Sequence, residues 1–166
     1  DELPQSAAGR TIMTTEPKFI PEEAVEVALE DGSAFRVRMI DCVGYMVEGA
    51  AGHMENGAER LVKTPWNEKE IPFTKAAEIG TKKVIHDHST IGIVVTTDGS
   101  IGELPRNSYR AAEKKTIQEL KSIGKPFVVL VNTRKPYSAE AKNVAEEIQK
   151  EYQVTALPVN CEQLRE

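Results

Sequence analysis

The chain has 166 residues, a net charge of −5, and 40% hydrophobic against 28% charged residues, which is one domain's worth of an ordinary globular protein. An acidic balance supplies no basic stripe to displace counterions, so nucleic acid is not expected as a partner. No apolar run approaches the roughly 20 residues of a membrane span. The opening residues DELPQSAAGR lack the basic and apolar regions of a signal peptide, and Cys42 and Cys161 lack metal-type spacing, so a reducing cytosol is expected.

Residues 1–23 carry little periodicity and read as an extended loop. Ala24–Glu30 then alternates Val25, Val27 and Leu29 with polar neighbours, Asp31-Gly32 turns the chain, and Phe35–Asp41 returns with Phe35, Val37 and Met39 on one face. Two alternating runs around a short Asp-Gly connection predict a β-hairpin. Met46–Phe73, with Gly49, Gly52, Gly57 and two prolines, shows no clean period and predicts a long functional loop.

Thr74–His88 predicts a helix, with Ala76, Ala77, Ile79, Val84 and Ile85 apolar, and Ile91–Thr97 predicts a strand buried on both faces. Ser108–Ile123 is an amphipathic helix closed by Gly124, with the run Glu113-Lys114-Lys115 expected on its solvated side. Phe127–Val131 predicts a second buried strand, Ser138–Tyr152 a helix capped by Ser138, and Ala156–Val159 a short last strand. This alternation predicts an α/β fold with a mostly parallel sheet and an N-terminal antiparallel hairpin.

The segment FRVRMIDCVGY carries the chemistry. Asp41 closes a strand, and Gly44 follows in the Asp-x-x-Gly spacing of nucleotide-hydrolysing switch proteins. In that motif the carboxylate holds Mg²⁺ through water, and the glycine N–H approaches a γ-phosphate because no Cβ intervenes. Thr14 and Thr15 in TIMTTEP precede the hairpin, where a threonine that senses Mg²⁺ and γ-phosphate belongs, and the two are equally placed. Asn132-Thr133-Arg134-Lys135 follows a strand, as the base-reading Asn-Lys-x-Asp of guanine switches does. Lys135 stands where the guanine-accepting carboxylate would be. An ammonium only donates, so adenine or loss of base selectivity is expected.

Tyr45 occupies the place of the water-orienting glutamine. His86-Asp87-His88 sits on a helix, where residues two apart do not share a face, and reads as helix-end chemistry instead of a metal site. A phosphate-cradling G-x-x-x-x-G-K-[ST] run is missing from residues 1–166. The expectation is therefore a single P-loop NTPase-like domain over 1–166, without its first strand and phosphate loop. The gap in the sheet is expected to be closed by direct pairing of the strands ending at Asp41 and Thr97, or by a strand of another chain.

DELPQSAAGR-TIMTTEPKF, IDCVGY, AAEIGTKKVIHDHSTIGIVVTTDG and GKPF together resemble the stage IV sporulation protein A family along nearly the whole chain. The resemblance implies a P-loop domain related to translation-factor-type GTPases that hydrolyses ATP with Mg²⁺. In the complete protein, hydrolysis would drive self-assembly into a polymer, the basement layer of the spore coat, on the forespore surface in the mother-cell cytoplasm. Other coat morphogenetic proteins and a forespore membrane anchor would be its partners. It also implies that Asp41 is the Walker B carboxylate and that Thr14 and Thr15 are sensor threonines; the motifs themselves set Thr15 and Asp41 as the expected metal side and Gly44 and Asn132 as the expected nucleotide side. The lysine-bearing loop would precede Asp1, so the chain alone is expected to be inactive. Two rival readings are a scaffold or interaction piece without nucleotide chemistry, and a GTP-dependent switch.

Overall fold

A computed structural model describes residues 18–50, 53–55, 57–64 and 67–164. Thr14, Thr15 and Trp66 lie outside them. The chain divides into two compact units, residues 1–44 with 52–89 and residues 45–51 with 90–166.

The first unit opens with the expected hairpin. Strand β1 (Lys18–Ala28) begins earlier than the alternation suggested and pairs antiparallel with β2 (Ala34–Asp41), placing Val25 opposite Val37 and Val27 opposite Phe35. Asp31 makes the turn by accepting hydrogen bonds from the Ser33 backbone N–H and hydroxyl, at 2.9 and 2.6 Å. Gly32 follows it at φ +84°. The apolar side of this ribbon stays open to solvent: Val25, Phe35 and Met39 are 52%, 47% and 59% exposed.

The stretch read as a long loop contains two small antiparallel hairpins instead. Strands β3 (Met54–Glu55) and β4 (Ala58–Glu59) make the first, and β5 (Leu61–Thr64) and β6 (Asn67–Pro72) the second. Strands of two to six residues are too short to show a period, which is why the sequence concealed them.

Helix α1 (Phe73–Lys83) then runs into a wider π-helical turn over Val84–His88. Pro72 cannot cap α1 with a side chain, so β4 supplies the cap. The Glu59 carboxylate accepts from both the N–H and the hydroxyl of Thr74, and the Arg60 carbonyl accepts from Phe73 N–H. A carboxylate suits the positive end of a helix, and the two Thr74 bonds hold the Glu59 pKa below its ordinary value. Phe73, Ala76, Ala77, Thr81, Val84 and Ile85 bury the inner face of this segment.

The second unit is built as the sequence indicated. Parallel strands β7 (Gly92–Thr97), β8 (Phe127–Asn132) and β9 (Ala156–Val159) lie in chain order, joined by α2 (Arg106–Ser122) and α3 (Ala139–Tyr152). Gly124, at φ +67°, ends α2 with paired bonds, Gly124 N–H to the Lys121 carbonyl and Lys125 N–H to the Leu120 carbonyl. Ser138 caps α3 by accepting from Ala141 N–H at 3.2 Å.

One face of the sheet packs inward through Val94, Val129, Val131 and Ala156, and the helices contribute Ile117, Leu120, Ala141, Ala145 and Ile148. Each large aliphatic side chain so buried stabilises the unit by about 1.5–3 kcal/mol. Gly92 lets α2 approach closely, since a Cβ there would lie 3.0 Å from Leu120 Cδ2 and from Phe127 Cβ.

Three expectations need correction. Strand β7 is covered on one face only: Val94 is 6% exposed, but Ile93 and Val95 are 56% and 59% exposed. A continuous apolar run does not distinguish a strand covered on both faces from one covered on one. Glu113 is not on a solvated side of α2; it is 5% exposed. Direct pairing of the strands ending at Asp41 and Thr97 is not found, because among the described residues β2 pairs with β1 and β7 with β8.

Candidate functional site

In the first unit, the candidate residues gather at the carboxyl end of β2. Asp41 is its last residue, opposite Lys18 in the register, and is exposed to solvent. The chain then leaves the strand through Cys42 and Val43 to Gly44, which sits at φ +78°. A Cβ at Gly44 would meet nothing within 4 Å, so the backbone there is approachable as well as left-handed. Cys42 is half-buried, and burial pushes its thiol pKa up, with Asp41 adding to the rise. A raised pKa makes it a poor nucleophile.

Tyr45 belongs to the second unit and is buried, with the Lys115 ammonium 4.5 Å from its ring centroid. The ring therefore packs onto α2 by a cation–π contact. Nearby, Glu48 N–H donates to the Ser108 carbonyl at 3.2 Å, tying residues 45–50 to the start of the same helix.

The second unit presents a polar network at the carboxyl ends of its strands. The β7–β8 register sets Thr97 beside Asn132, which makes Asp98 and Thr133 neighbours although 35 residues separate them. The Thr133 hydroxyl donates to Asp98 Oδ2, and Asp98 Oδ1 accepts from Ser100 N–H at 2.9 Å. Ser100 Oγ lies 3.3 Å from Thr133 Oγ1 and accepts from Arg134 N–H at 3.0 Å. Thr133 Oγ1 also accepts from Lys135 N–H at 3.2 Å. Burial by itself would raise the Asp98 pKa, but the hydrogen bonds from Ser100 and Thr133 outweigh it, and the carboxyl titrates below its ordinary range.

Asn132 holds the other flank of this loop. Its Oδ1 accepts from Cys161 N–H at 3.0 Å, and Thr133 N–H donates to the Val159 carbonyl at 2.8 Å. Lys135 is exposed and offers only donors at the position where a guanine reader needs an acceptor.

Behind the Asp98 turn stands a buried ion pair. Arg106 grips Glu113 with two bonds of 2.7 and 2.9 Å and donates to Thr96 Oγ1 at 3.2 Å. The Glu113 side chain is 3% exposed and that of Arg106 15%, so this planar two-point contact fixes the start of α2 against β7. Gly99 seals the arrangement: at φ +92°, a Cβ would sit 2.8 Å from Arg106 N.

The sequence-predicted residues are thus divided between the units. Asp41 and Gly44 lie together in the first, and Asn132 lies in the second. Asp98, Ser100, Thr133 and the Arg106–Glu113 pair escaped the sequence reading. Thr-Asp-Gly-Ser directly after a buried strand was the available signal, since short polar side chains at a strand end commonly bond their own backbone.

The whole of residues 1–166 matches the family model described as stage IV sporulation protein A, ATPase domain. The chain is similar to proteins named stage IV sporulation protein A from Clostridioides difficile (strain 630), at 54% identity, from Bacillus anthracis, at 51%, and from Bacillus subtilis (strain 168), at 50%. Each of these matches covers 100% of this chain and 34% of the relative, so the chain spans about a third of the length of the curated relatives it matches. No solved structure matches significantly. With a family match over its whole length and half or more of its residues shared with these relatives, the chain belongs to the stage IV sporulation protein A ATPase-domain family.

Proposed function

We propose that this chain is part of a P-loop domain that hydrolyses ATP in the complete protein, with Asp41 as the carboxylate that holds Mg²⁺ through water. The observation that carries this reading is the match of the ATPase-domain family over residues 1–166. The residues at this strand end fit the ligand. Asp41 is a hard oxygen donor exposed at a strand's carboxyl end, where open α/β folds place their ligands. Gly44 leaves open the space a Cβ would fill, and its N–H, which faces the Cys42 sulfur in this structure, is the donor the motif would turn to the phosphate.

Mg²⁺, when bound, neutralises charge on the phosphates. The chain's own contribution is positioning. Asp41 orients the cation's water shell, Gly44 N–H donates toward the terminal phosphate, and Thr14 with Thr15 sense the loaded state, Thr15 on the metal side. Asn132 braces the loop on the base side through Cys161. Residues 1–166 contain no G-x-x-x-x-G-K-[ST] run, so the phosphate-cradling lysine would come from sequence outside them. In the complete protein, hydrolysis would drive polymerisation into the spore-coat basement layer at the forespore surface, with other coat proteins and a membrane anchor as partners.

The test uses the full-length protein, which should hydrolyse Mg·ATP in preference to Mg·GTP. Asp41→Ala should lower kcat by about a thousandfold, roughly 4 kcal/mol of transition-state stabilisation, with the melting temperature held. Hydrolysis by Asp41→Ala at the parental rate would remove Asp41 from the role.

A second reading, a scaffold or interaction element without nucleotide chemistry, is favoured by the solvent-exposed apolar side of the β1–β2 ribbon. Polymerisation that proceeds at the same rate with and without ATP would select it. A GTP switch is disfavoured by Lys135.

A further inference from the structure

The Asp98–Ser100–Thr133 network is not explained by fold stability alone. A β-strand needs no hydrogen-bonded carboxylate to end, and a serine–threonine–aspartate cluster built on a buried threonine is more polar than a strand end requires. What the cluster does is specific. Its acceptors take up the two consecutive backbone N–H groups of Arg134 and Lys135, through Ser100 Oγ and Thr133 Oγ1. Asp98 in turn orients both hydroxyl-bearing residues, accepting from the Thr133 hydroxyl and from Ser100 N–H.

The scaffold around the cluster is stiff. Thr133 is 1% exposed and tied to β9 by its backbone N–H. The Asp98 turn is backed by Gly99 against the Arg106 backbone, and Arg106 is locked to Glu113. The segment so fixed is the one the proposed ATPase reading places at the nucleotide base.

We propose that Asp98 is a positioning residue for nucleobase discrimination: through Thr133 and Ser100 it sets the conformation in which residues 132–135 meet the base. This rests on the ATPase reading above. The base is then read by a segment with no carboxylate of its own, whose selectivity comes from how its backbone and the Lys135 ammonium are held. The dependence on Asp98 follows from charge. A carboxylate anchors a hydroxyl donor about twice as strongly as a neutral acceptor does, and misplacing a positioned group by about 1 Å is enough to cost a hundredfold in rate.

The experiment measures steady-state hydrolysis of ATP and GTP by the full-length protein and by its Asp98→Asn, Thr133→Val, Thr133→Ser and Ser100→Ala variants, with thermal melts alongside. Wild-type hydrolysis of ATP tests the ATPase reading itself; the variants test only the inference. Asp98→Asn and Thr133→Val should raise the KM for ATP and lower the ATP-to-GTP ratio of kcat/KM by about fivefold or more, with kcat changing less than KM. Ser100→Ala, which removes the acceptor for Arg134 N–H and the Ser100–Thr133 hydroxyl contact but leaves the Asp98–Thr133 bond, should lower the ratio by a smaller factor. Thr133→Ser keeps the hydroxyl and should restore both values. A merely structural role would weaken ATP and GTP equally, or lower kcat in step with the melting temperature, and either result overturns the proposal. So does a wild-type protein that hydrolyses ATP and GTP with equal kcat/KM. Should Thr133→Val fail to fold, Asp98→Asn and Ser100→Ala decide by the same ratio.

Discussion

Two aspartates in this chain close strands and are followed by glycine within three residues, yet their surroundings are opposite. Asp41 ends β2 with its carboxylate in solvent and an unobstructed Gly44 beyond it. Asp98 follows β7 with both oxygens engaged by neighbours and Gly99 pressed against Arg106. A carboxylate whose acceptor capacity is spent on its own fold has little left for a cation, whereas one facing water keeps its lone pairs for a ligand. The same local word, Asp followed by Gly, therefore supports direct ligand contact in one unit and the positioning of a neighbouring loop in the other.

The largest difference should appear in hydrolysis by the full-length protein. Asp41→Ala is expected to cost about a thousandfold in kcat at unchanged stability, and Asp98→Asn to act mainly through KM and base preference. If Asp98→Asn abolished turnover while Asp41→Ala spared it, the assignment of the two carboxylates would have to be exchanged.

Next in size is the support behind the Asp98 turn. Glu113→Ala would leave the Arg106 guanidinium largely buried without its carboxylate, a loss of about 3 kcal/mol in chemical denaturation. No comparable ion pair backs Asp41 among the described residues. A change below 1 kcal/mol would mean that Arg106 reaches water or another partner at small cost.

The glycines sharpen the contrast further. Gly44→Ala should cost about 1 kcal/mol, the penalty of its positive φ alone, since its Cβ position is empty. Gly99→Ala adds a 2.8 Å clash with backbone to the same penalty and should cost about 2 kcal/mol or more. Equal losses in urea unfolding would contradict the packing described around Arg106.

The smallest effect concerns acid. Asp98 titrates below its ordinary value of 3.8 in the folded protein, so the folded state binds its proton less readily than the unfolded chain. Its contribution to stability is complete above that ordinary value and is lost as pH falls through the lowered folded-state pKa. Melting curves taken from pH 5 downward should show a shallower acid loss for Asp98→Asn than for the wild type. An unchanged acid slope would mean that the carboxylate is not preferentially charged in the folded protein.

Most of the second unit was legible because each element carries its own punctuation. Ser138 opens α3, Gly124 closes α2, and the runs GIVVTT and FVVLVN are apolar enough to be strands. The first unit was legible in its opening hairpin as far as Asp41 and in the helix over residues 74–88, but not between them. Its later hairpins are short, and their edges fall at residues such as Glu59, whose task is to cap a helix 15 positions away. Glu113 was misread because neighbouring lysines make it look like part of a solvated run, and nothing local reveals an arginine about two turns earlier on the same face. The Asp98–Thr133 bond is a product of parallel register, which relates residues across a whole strand–helix–strand unit and leaves no trace in either local segment.

Strands β7, β8 and β9 stand side by side in the order in which they occur in the chain. Each crossover brings the next strand directly beside the one before it, so the sheet grows outward by single additions and never has to open to admit a strand between two others. Each pairing still spans a whole strand–helix–strand unit, 35 residues from Gly92 to its partner Phe127, and such non-local pairing is slower to form than helical contacts. Among the described residues, the strand order also leaves β7 and β9 each with an outer row of N–H and C=O groups that no strand pairs. The second unit's sheet is therefore open at both ends of its strand order, at β7 and at β9.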